Sequence, residues 1–182
     1  VCKLFAASKH REDASTQWRA GSGNCNLSGL NQYGQRYSTL ISDGMAGGTG
    51  AGVDRDGCDT GGILVNPQAI IANVETFERA YPLRWIFRKQ AVDSCGHGKF
   101  RGGLGGEIGL MLHKPQGPQY QVFFGRGKDP ALPQGVFGGY PANNTWTIIV
   151  EEANLAEAIR KGNPTPQPEE LEGKVRYIPT KN

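Results

Sequence analysis

The residues best suited to chemistry crowd into two glycine-rich stretches. In the first, "DGMAGGTGAGVDRDGCDTGG", the carboxylates Asp43, Asp54, Asp56 and Asp59 fall within seventeen positions. Carboxylates this close can hold a cation or act as bases, and Asp-Gly is equally ordinary turn chemistry. In the second, "DSCGHGKFRGGLGG", Cys95 and His97 stand two apart. A Cys-x-His pair supplies half of a zinc ligand set, and no second pair of this kind accompanies it. His10 lies at the end of a charged segment and His113 beside a turn, and both are expected to face solvent. Arg84, Arg88 and Arg101 offer cations for an anion, or for pairing with Asp and Glu along a strand face. Three scattered histidines give no Ser/His/Asp or Cys/His arrangement.

Glycine loops raise the question of phosphate. The dinucleotide fingerprint needs a third glycine after G-x-G-x-x, and a helix behind it. Counting from Gly48 and Gly50 the third position is Val53; counting from Gly50 and Gly52 it is Arg55. A phosphate-binding P-loop needs G-K followed by Ser or Thr, and Gly98-Lys99 is followed by Phe100. "DRDGCD" starts like a calcium loop, but Cys58 and Val65 occupy positions that need oxygen ligands. No nucleotide or metal is assigned to this chain on these grounds, and no catalytic residue is named.

The glycines have a rhythm of their own. There are 27, clustered at 21–62 and 96–109. Gly44, Gly47 and Gly50 are spaced by three, as are Gly103, Gly106 and Gly109, and Gly135 with Gly138. Polyproline II has three residues per turn, so such glycines leave one edge bare and let backbones approach. Segments of this kind must bond to their neighbours, because they cannot bond internally. The strict repeat of collagen is absent.

The elements that must position these loops follow from pattern. Residues 3–13 suit a short helix, and 18–34 reads as loop. "RYSTLI", 36–41, alternates as a strand. Asn73 to Pro82 carries Val74, Phe77 and Tyr81 at helical spacing, ended by the proline. "LRWIFRKQ", 83–90, predicts a strand with Leu83, Trp85 and Phe87 on one face and Arg84, Ile86 and Arg88 on the other. Residues 108–112 and 120–124 suggest a hairpin across "KPQGP". Residues 146–150 predict another strand. "NLAEAIRKG" predicts a short helix, capped by Asn154 with Glu157 and stopped by Gly162. The end, from Asn163, reads as a proline-rich extended arm. The fold class is mainly β with much irregular structure: β-sheets running into a bundle of glycine-rich polyproline-II-like segments, with few short helices. Two regions are expected, 1–145 and 146–182.

The totals exclude several classes. The 182 residues carry a net charge of +3 with no long basic run, which argues against a nucleic-acid surface. No apolar stretch reaches the length of a membrane span. The opening segment has too short an apolar run for a secretory signal. Cys2, Cys25, Cys58 and Cys95 are widely spread and read as reduced thiols of a cytoplasmic protein.

Three stretches in order carry a family likeness: the glycine block Gly47–Gly57, the segment Asn73–Arg84 that ends Tyr-Pro-Leu-Arg, and "DSCGHGKFRGGLG" at Asp93–Gly105. In these the chain resembles the B-type subunits of the hydantoinase B/5-oxoprolinase group. "FGGYPANNT" and the helix with its proline-rich arm most resemble ketone carboxylases of the acetone and acetophenone type. The resemblance implies a cytoplasmic complex that uses ATP with Mg or Mn, and Zn in other segments. It implies an A-type actin/hexokinase-like subunit, the remainder of a B-type subunit and a small third subunit as partners. The chain would then be scaffold and chamber wall rather than ATP site. B-type subunits are several times longer, and their metal-binding Asp/His positions have no counterpart here. A fragment, a cleaved piece or a separately encoded part is expected. Two alternatives stay open: the same subunit type in a cyclic-amide hydrolase, and a non-enzymatic interaction module.

Overall fold

The computed structural model describes residues 24–41, 47–60, 72–124 and 133–178. The predicted helix at 3–13, Asp43, His10 and Cys2 lie outside them. Within the described residues the chain is strands and loops with few short helices, as the composition suggested. It divides into two compact units, Val1–Thr145 and Trp146–Asn182.

In the first unit, β1 (Asn24–Leu30), β2 (Arg36–Ile41) and β5 (Tyr120–Phe124) form an antiparallel sheet in the order β2-β1-β5. Strand β1 corrects the expectation of loop over 18–34. Its Asn, Ser and Gly are poor strand formers, but partners on both sides satisfy its backbone, and tertiary pairing outweighs that propensity. Cys25 and Leu27 point inward and join Ile41 and Leu83 in the core, with Tyr37, Phe77, Tyr81, Leu110 and Phe123 packed around them. The β1–β2 turn is built by Asn31, whose buried side-chain oxygen accepts from the amides of Tyr33 (3.0 Å) and Gln35 (2.9 Å).

Helix α1 (Val74–Ala80) starts where Asn73 Oδ1 accepts from Thr76 N at 3.0 Å, and turns into β3 (Leu83–Gln90) through the buried Pro82. Strand β3 pairs with β4 (Gly106–Leu112). The register shifts between Trp85 and Phe87, a bulge that strict alternation does not foresee. One extra residue at Ile86 reverses the side-chain order downstream. Arg88 therefore stacks on the Trp85 face, Cζ 3.7 Å from the ring centroid, instead of lying opposite it. Phe87 turns to lie across Gly109, where an added Cβ would come within 2.6 Å of the Phe87 ring.

The expected hairpin between β4 and β5 is not formed. Strand β4 pairs with β3 and β5 pairs with β1. Two prolines and a glycine in 114–118 carry the chain from one sheet to the other. Gln119 anchors the crossing: its amide nitrogen donates to Leu30 O and Gly117 O, each at 2.9 Å.

In the second unit, β6 (Ile148–Glu151) pairs antiparallel with β7 (Lys174–Tyr177). Helix α2 (Leu155–Arg160) stands between them, with a 3-10 turn at Pro168–Glu170. The C-terminal stretch is thus partly strand rather than an extended arm: Val175 and its neighbours complete the β6 ladder. Asn154 holds the predicted N-cap position of α2, but without a side-chain cap bond. Its side-chain oxygen accepts from Glu172 N at 3.0 Å, across the loop. A capping box forms instead at Gln167 with Glu170. Gly162 ends the helix as expected, with φ of 92°.

Candidate functional site

Residues 47–60, 91–105 and 133–143 carry no regular strand, yet their backbones are heavily bonded to one another. Thr49 N donates to Cys58 O (3.0 Å), Gly103 N to Thr49 O (2.9 Å) and Gly57 N to Arg101 O (2.8 Å). Gly102 N donates to Gly96 O (2.9 Å), Ala91 N to Gly105 O (2.9 Å) and Tyr140 N to His97 O (2.8 Å). These bonds are the neighbour-to-neighbour bonding that bare-edged segments require.

The glycines make the approach possible. A Cβ on Gly103 would lie 2.0 Å from the Cys58 carbonyl oxygen, and one on Gly48 2.0 Å from the oxygen of Gly103. A Cβ on Gly57 would meet Thr49 O at 2.2 Å, and one on Gly96 would meet Tyr140 O at 2.4 Å. No side chain fits these places. Of these four, Gly103 belongs to the sets picked out by spacing, while Gly48, Gly57 and Gly96 do not.

The acidic cluster is not one site. Asp54 lies at an exposed loop tip, 3.5 Å from Arg55. Asp56 Oδ1 accepts from Arg101 N at 2.9 Å. Asp59 Oδ1 accepts from Arg101 Nη1 at 2.9 Å and from Leu104 N at 2.7 Å. The Arg101 guanidinium and the Leu104 amide together hold the Asp59 carboxyl below its usual range. Asp59 thereby ties the first glycine stretch to the second.

The other candidates disperse. Cys95 is buried, and the exposed His97 uses its carbonyl to hold Tyr140. His113 is half-buried rather than solvent-facing, because its amide extends the β3–β4 pairing by donating to Pro82 O at 2.9 Å. Arg84 lies 3.9 Å from Glu78, whose other oxygen accepts from Trp85 N at 2.8 Å. Arg88 donates twice to Ala72 O, while its Nε and the Trp85 indole nitrogen are buried without partners. Burial alone pushes the Arg88 guanidinium down. Among the described residues, Cys25, Cys58 and Cys95 form no disulfide. Burial pushes the Cys25 thiol up, and Gln121 Nε2 donates to its sulfur at 3.0 Å.

Sequence reasoning missed Ser94 and Asn143. Ser94 Oγ donates to Ala91 O (2.7 Å) and accepts from Gly105 N (2.8 Å). Asn143 bonds the backbone of Asp93 and Ser94. Only their small polar character in glycine-rich text hinted at such bridging.

A sequence profile described as hydantoinase B/oxoprolinase matches residues 1–181. The chain belongs to that family. Within the hydantoinase B/oxoprolinase family, it is 31% identical over 150 residues to the acetone carboxylase alpha subunit of Xanthobacter autotrophicus. That match covers 79% of this chain and 19% of the relative. It is 28% identical over 162 residues to the acetophenone carboxylase delta subunit of Aromatoleum aromaticum, covering 88% of this chain and 23% of that one. A nucleotide-free structure of acetone carboxylase, from work on ATP-dependent acetone carboxylation, superposes with a TM-score of 0.77 at 26% identity. It covers 93% of this chain and 24% of its own. The chain therefore spans about a fifth to a quarter of the relatives it matches.

The resemblance implies ATP and metal ions for the complex as a whole, and two features of the described loops argue against either binding at them. Phosphate binding by a loop needs unbonded N–H groups. Those of Thr49, Gly52, Gly57, Gly102 and Gly103 donate to protein carbonyls. Asp56 and Asp59 face Arg101 rather than an open coordination sphere. Among the described residues, no His/Cys/Asp/Glu group gathers to hold an ion, and no helix is long and apolar enough to cross a membrane.

Proposed function

We propose that the chain is part of the B-type subunit of a multisubunit, ATP-dependent ketone carboxylase in the cytoplasm. In this reading it works beside an A-type, actin/hexokinase-like ATP-binding subunit, the remainder of the B-type subunit and a small third subunit. One observation carries the reading. The same stretch aligns with two carboxylase subunits and with the acetone carboxylase structure at a TM-score of 0.77.

Carboxylation of a ketone joins an activated enol to activated bicarbonate. Both hydrolyse in water, so the chamber wall must exclude it. The residues here suit a wall better than a catalyst. Asp59, Arg101, Ser94 and Asn143 are engaged with each other and with backbone, and the interlocked loops offer little to a substrate. The chain is then scaffold, with chemistry done by groups outside it.

The test is turnover by the purified native complex. With ATP, labelled bicarbonate and acetone or acetophenone, label should enter a β-keto acid. Ring opening of a hydantoin or 5-oxoproline without bicarbonate dependence would replace this reading with the hydrolase one. Recovery of the chain without any ATP-binding subunit would favour an interaction module.

A further inference from the structure

Among the non-glycine residues with left-handed backbone, Phe137 stands out. Its φ is 52°, that of Gly138 is 87°, and Gly139 N donates to Val136 O at 3.0 Å. Two successive positive φ values closed by that bond make a turn of the mirror-image type I′ class, whose first central position favours Asn, Asp or Gly. A bulky aromatic there is strained. Burial does not explain it, because Phe137 is 74% exposed. Tyr140, three residues on, is 71% exposed.

The stem beneath these rings is rigid. A Cβ on Gly135 would lie 2.0 Å from Gly139 O, so the neck of the turn admits no side chain. Tyr140 N is held by His97 O, Ala142 N by Pro133 O at 3.0 Å, and Asn143 N by Ser94 O at 3.2 Å. A strained aromatic that is largely exposed, on a stem fixed by these hydrogen bonds, has the character of a pre-organised anchor.

We propose that the Phe137–Tyr140 turn is a docking knob, with Phe137 seated in an apolar pocket of the part of the family fold that lies outside this stretch. The occupant follows from lengths already given. The matched acetone carboxylase chain has about three quarters of its length outside the stretch shared with this protein. In that structure the remainder belongs to the same chain as the matched stretch. The proposal rests on family membership, not on the carboxylation reading, and holds equally in a hydrolase complex.

The test uses the full chain, alone and in the native complex. Phe137→Asn creates the preferred Asn-Gly turn, so the isolated chain should melt about 2–4 °C higher, the scale of one relieved strain in a domain of this size. In the native complex the same substitution should instead lower the melting temperature, because the seat of Phe137 is then empty. A photo-crosslinking benzoylphenylalanine at position 137 should attach to residues of the family fold outside this stretch, identified by peptide mass. A lower melting temperature of the isolated chain would show that Phe137 serves its own stretch, and would overturn the proposal. An unchanged or higher melting temperature of the complex, no cross-link, or cross-links only within this stretch or to its second copy would overturn it as well.

Discussion

The sheets and the glycine loops of the first unit are stabilised by opposite means. In the β2-β1-β5 sheet the ladder is regular and side chains do the joining: Leu27, Ile41, Cys25 and Leu83 fill a shared interior. In the loops around Gly48, Gly57 and Gly103 no ladder exists, and the joining depends on side chains being missing. One region resists deletion of atoms and the other resists their addition. Substitutions of opposite kind therefore separate them.

The largest effect should come from Gly103→Val. Its Cβ would overlap the Cys58 carbonyl, which cannot yield without breaking the Thr49 and Gly103 bonds. We expect a loss of about 4 kcal/mol or more, at the exceptional end for single substitutions. Circular dichroism and solubility would show it as failure to fold, and a melting temperature near that of wild type would break the comparison.

Leu27→Ala should come next, at about 2–4 kcal/mol from a residue that is 2% exposed. Denaturant titration measures it. Equal tolerance of alanine at Leu27 and Gly103 would mean that the two regions share one kind of packing.

Asp59→Asn sharpens the comparison through pH. The Asp59 carboxyl is held below its ordinary value, so the charged form is favoured in the folded state. Its contribution is fully present above the unfolded value, near 4, and is lost as pH falls through the lower folded one. The melting-temperature gap between wild type and Asp59→Asn should be open at pH 7 and close progressively below about pH 4. A gap independent of pH would remove the ion pair from the account. The gap is expected to be smaller than the Leu27→Ala effect, because Arg101 and Asp59 are partly solvated.

The smallest effect should be Gly162→Ala, about 1 kcal/mol. Here a Cβ meets open space and only the φ of 92° objects. It is the control for Gly103, since one glycine serves conformation and the other clearance.

What the sequence disclosed follows the same division. Strands β2 and β3 and helix α1 were legible because their periodicity comes from side chains facing an interior. Strand β1 was not, since "NCNLSGL" has the composition of a loop and becomes a strand only between two partners. The bulge at Ile86 left no mark, and so the placement of Arg88 beside Trp85 was hidden. The partners of β4 and β5 were wrong because local turn chemistry cannot say which sheet a strand will join. Asn154 was legible as the N-cap residue because cap residues are recognised by type, while its side chain's acceptor role depends on Glu172, eighteen residues away. For the candidate site, spacing suggested bare backbone edges and the need for bonds between neighbours. It did not identify Gly48, Gly57 and Gly96 as the points of contact, because clearance is a property of two segments at once. The Asp59–Arg101 pair was foreseen only as one option among several.

The contact of Gly48 and Gly57 with Gly103 also bears on how this fold can change over generations. Every single-base change of a glycine codon that is not silent encodes a residue with at least a β-carbon, or a stop. These positions therefore have an alphabet of one letter, and a change in one segment offers no room for a compensating change in the other. Divergence of substrate preference among related subunits has to be written in parts of the protein that this seam does not touch.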